Sequence, residues 1–344
     1  MTPPTVQPSG ALVISLDFEL HWGQPTLPLS DRGIRARFLR TRAVVRRLLG
    51  LFEECEIAAT WATVGFLFAQ SAEEIEEVRP RRLPAYRQAG LSSFDVRVGT
   101  GEDDDPFHFA PSLVESIRCT PRQEIATHTF SHYYCLEEGQ TKDDFAADLT
   151  AARAIAGRRG VQFRSIAFPR NQVNPAYRPV LIEHGITTYR GNPPGAWRAA
   201  DSEESRAPAR RVIRFIDSFA QWSSREGGGW DEIPGKDGLA NVRATSFLRP
   251  FDRRLAPAEE IRFRRIRTTL ERAARDGRII HLWWHPHNFA AQPEYNLTFL
   301  RRILDVFATC REQLGMRSVS MSDAARIASA SRGDVEIAGM ASVG

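Results

Sequence analysis

Regular alternation begins at residue 11. In "ALVISLDFEL", Leu12, Ile14, Leu16 and Phe18 fall on one side of an extended strand and Val13, Ser15, Asp17 and Glu19 on the other, so one face ends in two acids. Residues 34–54 then place Val44, Val45, Leu48, Leu49 and Phe52 at helical spacing among arginines, and "IAATWATVG" returns to an apolar run of strand length. This order predicts a βαβ unit. From 71 to 111 the period is lost: a helical start gives way to "RPRRLP" and "GTGEDDDPFHF", which read as a polar surface insertion. A short apolar strand enters "HTFSH". After it, "DDFAADLTAARAIAG" has helical spacing, and "FRSIAFP" and "ITTYRG" read as strands separated by a helix that Asn174 caps and Pro175 begins.

Residues 190–248 are rich in Gly, Pro, Ser and Arg and read as a second, loop-rich insertion that walls or covers a site. Regularity resumes with a helix over 257–276, the strand "RIIHLWWH", a helix over 297–314 stopping at Gly315, the strand "MRSVSM" and a last helix. Residues 1–10 and 334–344 read as flexible termini. Strands alternating with helices, without internal repeats, predict a single α/β domain over 11–330 with a parallel sheet, open or closed into a barrel.

A 344-residue chain can bury a full core, and its 42% hydrophobic and 26% charged residues are those of a soluble globular protein. No apolar run is long enough to span a bilayer, and "MTPPTVQPSG" has neither the basic start nor the apolar stretch of an export signal, so a cytoplasmic location is expected. The four cysteines show no CxxC spacing and read as reduced thiols. The net charge of +4 does not predict a nucleic-acid partner, because 42 acids nearly match 46 bases and no basic run is interleaved with aromatics.

The chemistry gathers at strand ends, where active sites of such folds lie. The first strand ends in Asp17 and Glu19, a later element delivers His128 and His132, and "RIIHLWWH" ends at His285. Two imidazoles read as one helical turn apart, with a carboxylate, can hold a divalent ion and leave coordination positions open. Such an ion lowers the pKa of water toward about 7 and polarises a carbonyl, while a neighbouring carboxylate takes the proton. Asp17 and Glu19 can divide those two roles either way. Each feature alone has a plainer reading: the histidines as ordinary hydrogen-bonding groups, the acids as caps or salt-bridge partners.

"SLDFE", "HTFSH", "AFPRNQ" and "HLWWHPH", in this order, resemble the NodB-homology polysaccharide deacetylases (carbohydrate esterase family 4) from about Leu12 to Asp323. The resemblance implies a distorted (β/α) barrel of about seven parallel strands and a zinc-dependent, or other divalent-metal-dependent, hydrolase that removes acetyl groups from N-acetylated sugars. By position it implies Asp17 as general base, Glu19, His128 and His132 as metal ligands, and His285 as the acid that protonates the departing amine. The family's adjacent aspartates are replaced here by Asp17-Phe18-Glu19, which leaves open which acid binds metal. "FPRNQ" replaces the family's Arg-Pro-Pro-Tyr segment and makes Arg170 and Asn171 candidates for orienting the base or binding substrate. Trp283 and His287 are candidates for substrate contact, His281 for a buried structural histidine and Asp217 for orienting His285. Two rivals are a same-fold hydrolase of another C–N bond, in a formamide or cyclic amide, and an inactive carbohydrate-binding protein.

Overall fold

The computed structural model describes residues 9–193, 227–235 and 237–341. Among the described residues nine strands form one sheet in the order β6-β5-β4-β3-β2-β1-β8-β7, with β9 pairing β1 off that path. Every strand pairing is parallel. The strands are β1 (Ala11–Phe18), β2 (Ala59–Thr63), β3 (Gln123–Thr127), β4 (Ser165–Ile166), β5 (Thr188–Tyr189), β6 (Ala240–Asn241), β7 (Ser246–Phe247), β8 (Ile279–Trp284) and β9 (Arg317–Val319).

The two ends of this order are one stretch of chain. Ala240 and Asn241 pair with β5, and Ser246 and Phe247, a few residues on, pair with β8. Between them Ala244 N–H donates to Gly191 O and Thr245 N–H to His281 O. The run 240–247 thus draws the sheet's edges together, as the last stave of an irregular barrel. Taking it as one strand, β1 to β5, this run and β8 make seven staves; β9 meets only Ala11–Val13. The described part of 190–248 is therefore not simply an insertion. It is read as loop in sequence because its pairings are two residues long and carry no periodic pattern. Residues 194–226, with Asp217, lie outside the described residues.

Helices cover the outside. α1 (Arg32–Glu54) begins at Asp31, whose carboxylate accepts from Gly33 N–H and Ile34 N–H, and buries Val44, Val45, Leu48, Leu49 and Phe52 against the outer face of β1. α2 (Ala72–Glu77) is followed by an irregular stretch and by α3 (Pro111–Cys119), a helix the sequence pattern does not predict, which buries Leu113, Val114 and Ile117. The stretch 71–111 is also less superficial than its acids suggest. Phe107 and Phe109 are buried, and His108 bridges Asp105 (2.8 Å) to His21 (3.0 Å). Next come α4 (Lys142–Gly157), α5 (Arg178–Glu183), α6 (Glu259–Arg275), the short α7 (Pro286–Phe289), α8 (Pro293–Leu314), which ends at Gly315 in the left-handed conformation, and α9 (Met321–Ala341). α9 runs on into the stretch expected to be a loose tail.

The interior is layered by strand alternation. The inward residues of β1 are Ala11, Val13, Ser15 and Asp17, of which the first three pair in register with Ile279, His281 and Trp283 of β8. Ala11, Val13 and Ile279 pack with Ala240, Val242, Met321, Ala324 and Ala328, so α9 closes the floor with small and apolar side chains. Polarity starts one layer higher: Ser15 Oγ lies 2.8 Å from His281 Nε2. Above it, where the strands end, lie the acids.

Candidate active site

Asp17 is the last inward residue of β1, and Glu19 follows at the start of a single 3-10 turn, Leu20–Gly23. Both are buried. Glu19 Oε2 lies 3.0 Å from His132 Nε2 and 3.3 Å from His128 Nε2. One ligand atom from each of these three residues falls within 4.8 Å of the others. His128 Nδ1 donates to Ala167 O at 2.7 Å, so in the neutral ring Nε2 carries the lone pair; that atom is buried without a hydrogen-bond partner. A buried, unpartnered imidazole lone pair beside a carboxylate and a second imidazole fits a divalent ion bound by N and O donors. His132 Nδ1 is 3.1 Å from Tyr134 Oη, which orients the second ring.

The two histidines do not sit on a helix turn. β3 ends at Thr127, and 128–132 form a loop in which Thr129 (φ 65°) and His132 (φ 58°) take the left-handed conformation. Neighbours enforce that path. Gly65 N–H donates to Thr129 O and Phe66 N–H to Phe130 O, while the Asp148 carboxylate of α4 accepts from Phe130 N–H (2.7 Å), Ser131 N–H (3.1 Å) and the Ser131 hydroxyl. Gly65 is obligatory there, because a Cβ on it would lie 2.7 Å from Phe130 Cα.

Asp17 faces a different partner. Arg190, the residue after β5, reaches across the barrel and donates Nη1 to Oδ1 (2.6 Å) and Nη2 to Oδ2 (2.7 Å). Its Nη1 also meets Ser15 Oγ (3.1 Å), its Nη2 meets Asn171 Oδ1 (3.0 Å), and its guanidinium lies 4.5 Å from the Trp283 ring centroid. Burial alone pushes the Asp17 carboxyl up, but Arg190, His128 and His285 outweigh it and hold the group below its ordinary value. Burial likewise opposes ionisation of Glu19, and His285, His128 and His132 together hold it well below the carboxylate range. His285 Nε2 stands 3.6 Å from both Asp17 Oδ2 and Glu19 Oε1, partly open to solvent.

Of the residues singled out in the sequence, Asp17, Glu19, His128, His132 and His285 therefore converge. Trp283 lines the barrel under Arg190, and Asn171 reaches Asp17 only through Arg190. Arg170 does not approach Asp17; it meets Glu137 (3.3 Å) and lies over the Tyr134 ring. His287 is fully enclosed, 3.8 Å from Glu19, and burial, with His285 beside it, takes its pKa down to about 3. His281 is a buried structural histidine, held by Ser15 and Val242 O. Arg190 is the residue that sequence reading passes over. It follows the strand read from "ITTYRG", as His285 follows its own, but it stands where the Gly- and Pro-rich stretch taken as an insertion begins.

No protein-family profile matches the chain, and no curated protein matches it in sequence. Solved structures do match in shape. A Mycobacterium smegmatis protein named as a polysaccharide deacetylase superposes with a TM-score of 0.54 at 15% identity, covering 97% of this chain and 94% of that one. The chain has the NodB-homology fold. A Pseudomonas aeruginosa PAO1 protein, also named as a polysaccharide deacetylase, gives a TM-score of 0.50 at 12% identity over 94% and 91% of the two chains. A PuuE allantoinase gives 0.51 at 12% identity over the same shares. The NodB-homology fold is thus common to proteins named for different C–N hydrolases, and the chemistry has to be argued from the site.

Proposed function

We propose that the protein is a zinc-dependent hydrolase that removes the N-acetyl group from an acetamido sugar. One observation carries the division of labour between the acids: both oxygens of Asp17 are engaged by Arg190, whereas Glu19 turns an oxygen to His128 and His132. Glu19, His128 and His132 are the ligand set. A zinc ion held by them would supply Lewis-acid chemistry, polarising the amide carbonyl and favouring ionisation of water.

Asp17, kept ionised by Arg190, accepts the proton of the attacking water. Arg190 restrains the carboxylate in two directions, so little reorganisation remains when the proton arrives. His285, within 3.6 Å of Asp17 and open on one side, donates a proton to the leaving nitrogen. Trp283 is half-buried on the inner face beneath Arg190, and the part of its ring that Arg190 leaves uncovered flanks the sugar. The shared fold with PuuE allantoinase favours a second reading, hydrolysis of a cyclic amide by the same residues.

The test has two parts. Protein purified without chelator is expected to hold about one zinc per chain, lost in the double variant His128→Ala/His132→Ala. The loaded enzyme is expected to release acetate from N-acetylhexosamine derivatives and to leave allantoin intact. Asp17→Asn retains zinc and loses turnover. Ring opening of allantoin without acetate release selects the second reading, and wild-type protein that cannot bind zinc refutes both.

A further inference from the structure

Behind Glu19, on the side away from His128 and His132, lies a chain of three side chains that the proposed reaction does not use. His287, on α7, is buried, and its Nδ1 has no hydrogen-bond partner; that atom faces Glu19 Oε1 at 3.8 Å. Its other nitrogen, Nε2, lies 3.0 Å from Gln24 Nε2. Gln24 in turn has its Oε1 2.7 Å from Arg37 Nη2 on α1.

These contacts fix a proton. A guanidinium only donates, so the atom of Gln24 that meets Arg37 is the carbonyl oxygen and the one that meets His287 is the NH2 group. An amide N–H pointing at Nε2 requires a lone pair there. In the neutral ring the proton is then on Nδ1, the nitrogen aimed at Glu19. We propose that His287 is a positioning residue for Glu19, presenting Nδ1–H to Oε1 because Arg37 and Gln24 set its tautomer.

The contact is longer than a hydrogen bond and acts as charge against dipole, between two side chains that are both buried. Oε2 faces His128 and His132, and Oε1 faces His287 on its buried side and His285, at 3.6 Å, on the side open to solvent. The same proton bars Nδ1 from ligating a metal, so His287 is excluded as a fourth ligand. On another side the Glu19 carboxylate lies against Gly23, where a Cβ would come within 1.8 Å of Oε1. Glu19 is thereby held between Gly23, which leaves no room for a Cβ where the carboxylate now lies, and an imidazole of fixed polarity.

The inference about the ion rests on the ligand set proposed above; the tautomer does not. Full-length protein labelled with 15N-histidine and freed of metal is expected to show His287, identified by the resonance lost in His287→Asn, as the Nδ1–H tautomer. Glu19→Gln is expected to shift that Nδ1 resonance, and Gln24→Leu to release the ring into a mixture of tautomers. Zinc affinity, read by competition with a chromophoric chelator, is expected to fall about 10- to 100-fold in His287→Leu, the usual loss for a group that orients a ligand. In His287→Asn, whose amide N–H takes the place of Nδ1–H, it is expected to stay within about threefold of wild type. An Nε2–H tautomer in the wild type overturns the proposal, as does equal zinc affinity in His287→Leu or an equal loss in the Leu and Asn variants. If wild type binds no zinc, the ligand set fails, and the resonances alone decide whether His287 addresses Glu19.

Discussion

Arg190 holds Asp17 at both ends of its carboxylate, at 2.6 and 2.7 Å, and both side chains are almost wholly withdrawn from water. Removing the cation leaves a buried carboxylate without its partner. Arg190→Met is expected to lower stability by about 3–5 kcal/mol in urea unfolding. Arg190→Lys keeps a charge but loses the fork, and is expected to retain the fold and zinc while turnover falls at least about 100-fold. The pH dependence follows from the sign of the shift. A carboxyl lowered from 3.8 in the folded state contributes stability that is complete above that value and is lost as pH falls through the folded pKa. Acid unfolding of Arg190→Lys is therefore expected to begin at higher pH than in wild type, and an unchanged acid limb counts against the pair.

Gly23 permits the position of Glu19. With a Cβ built on Gly23, Glu19 Oε1 would lie 1.8 Å away and Cδ 2.0 Å away, inside any real contact. Gly23→Ala removes no proposed ligand, yet it is expected to displace the carboxylate and weaken zinc binding at least about 100-fold while far-ultraviolet circular dichroism stays unchanged. Gly50, whose added Cβ meets nothing within 4 Å, is the control. Gly50→Ala is expected to bind zinc as wild type does.

The fold and the site were legible to different depths. β1 could be read because Leu12, Ile14, Leu16 and Phe18 alternate with Val13, Ser15 and Asp17 over eight residues, long enough for the period to show. β4 and β5, though only two-residue pairings, could still be placed within "FRSIAFP" and "ITTYRG", but β6 and β7 could not, because they are two-residue pairings inside a Gly- and Pro-rich stretch and depend on the curl of the sheet. Glu19, His128 and His132 stood out by residue type at strand ends. The left-handed turns at Thr129 and His132 gave no such signal, since they are imposed by Asp148 and Gly65 from elsewhere in the chain. Arg190 was hidden for the same reason: its partners Asp17 and Ser15 lie more than 170 positions away.

Asp148 ties α4 to the histidine loop, and burial pushes its carboxyl up to about 6 despite three donors. A folded-state pKa above the ordinary 3.8 means that the folded chain keeps a proton the unfolded chain has released. The group's contribution to stability is then fully present below about 3.8 and declines as pH rises through about 6. The stability of wild type minus that of Asp148→Asn, which cannot titrate, is expected to shrink by roughly 2 kcal/mol between pH 4 and 7. Urea titrations of both proteins at each pH measure it. A flat difference shows that Asp148 ionises normally and that its donors outweigh burial.

Arg170 and Asn171 are adjacent, both left-handed (φ 54° and 55°), and they serve different partners. Asn171 Oδ1 accepts from Arg190, so its amide reaches Asp17 at one remove; Arg170 packs on Tyr134 and pairs with Glu137 at the edge of the site. Asn171→Gly removes the side chain without adding backbone strain, because glycine takes positive φ freely. It is expected to lower kcat about tenfold or more, leave zinc affinity unchanged and raise the pKa of the acid limb of kcat, since Arg190 loses a tether. Arg170→Gly at the next position carries the same backbone change. It is expected to leave that acid limb in place and to act instead on KM, because Tyr134 and Glu137 form the wall beside His132 and do not touch the base. An equal shift of the acid limb in both variants would mean that the backbone turn, and not the Asn171 amide, steadies Arg190.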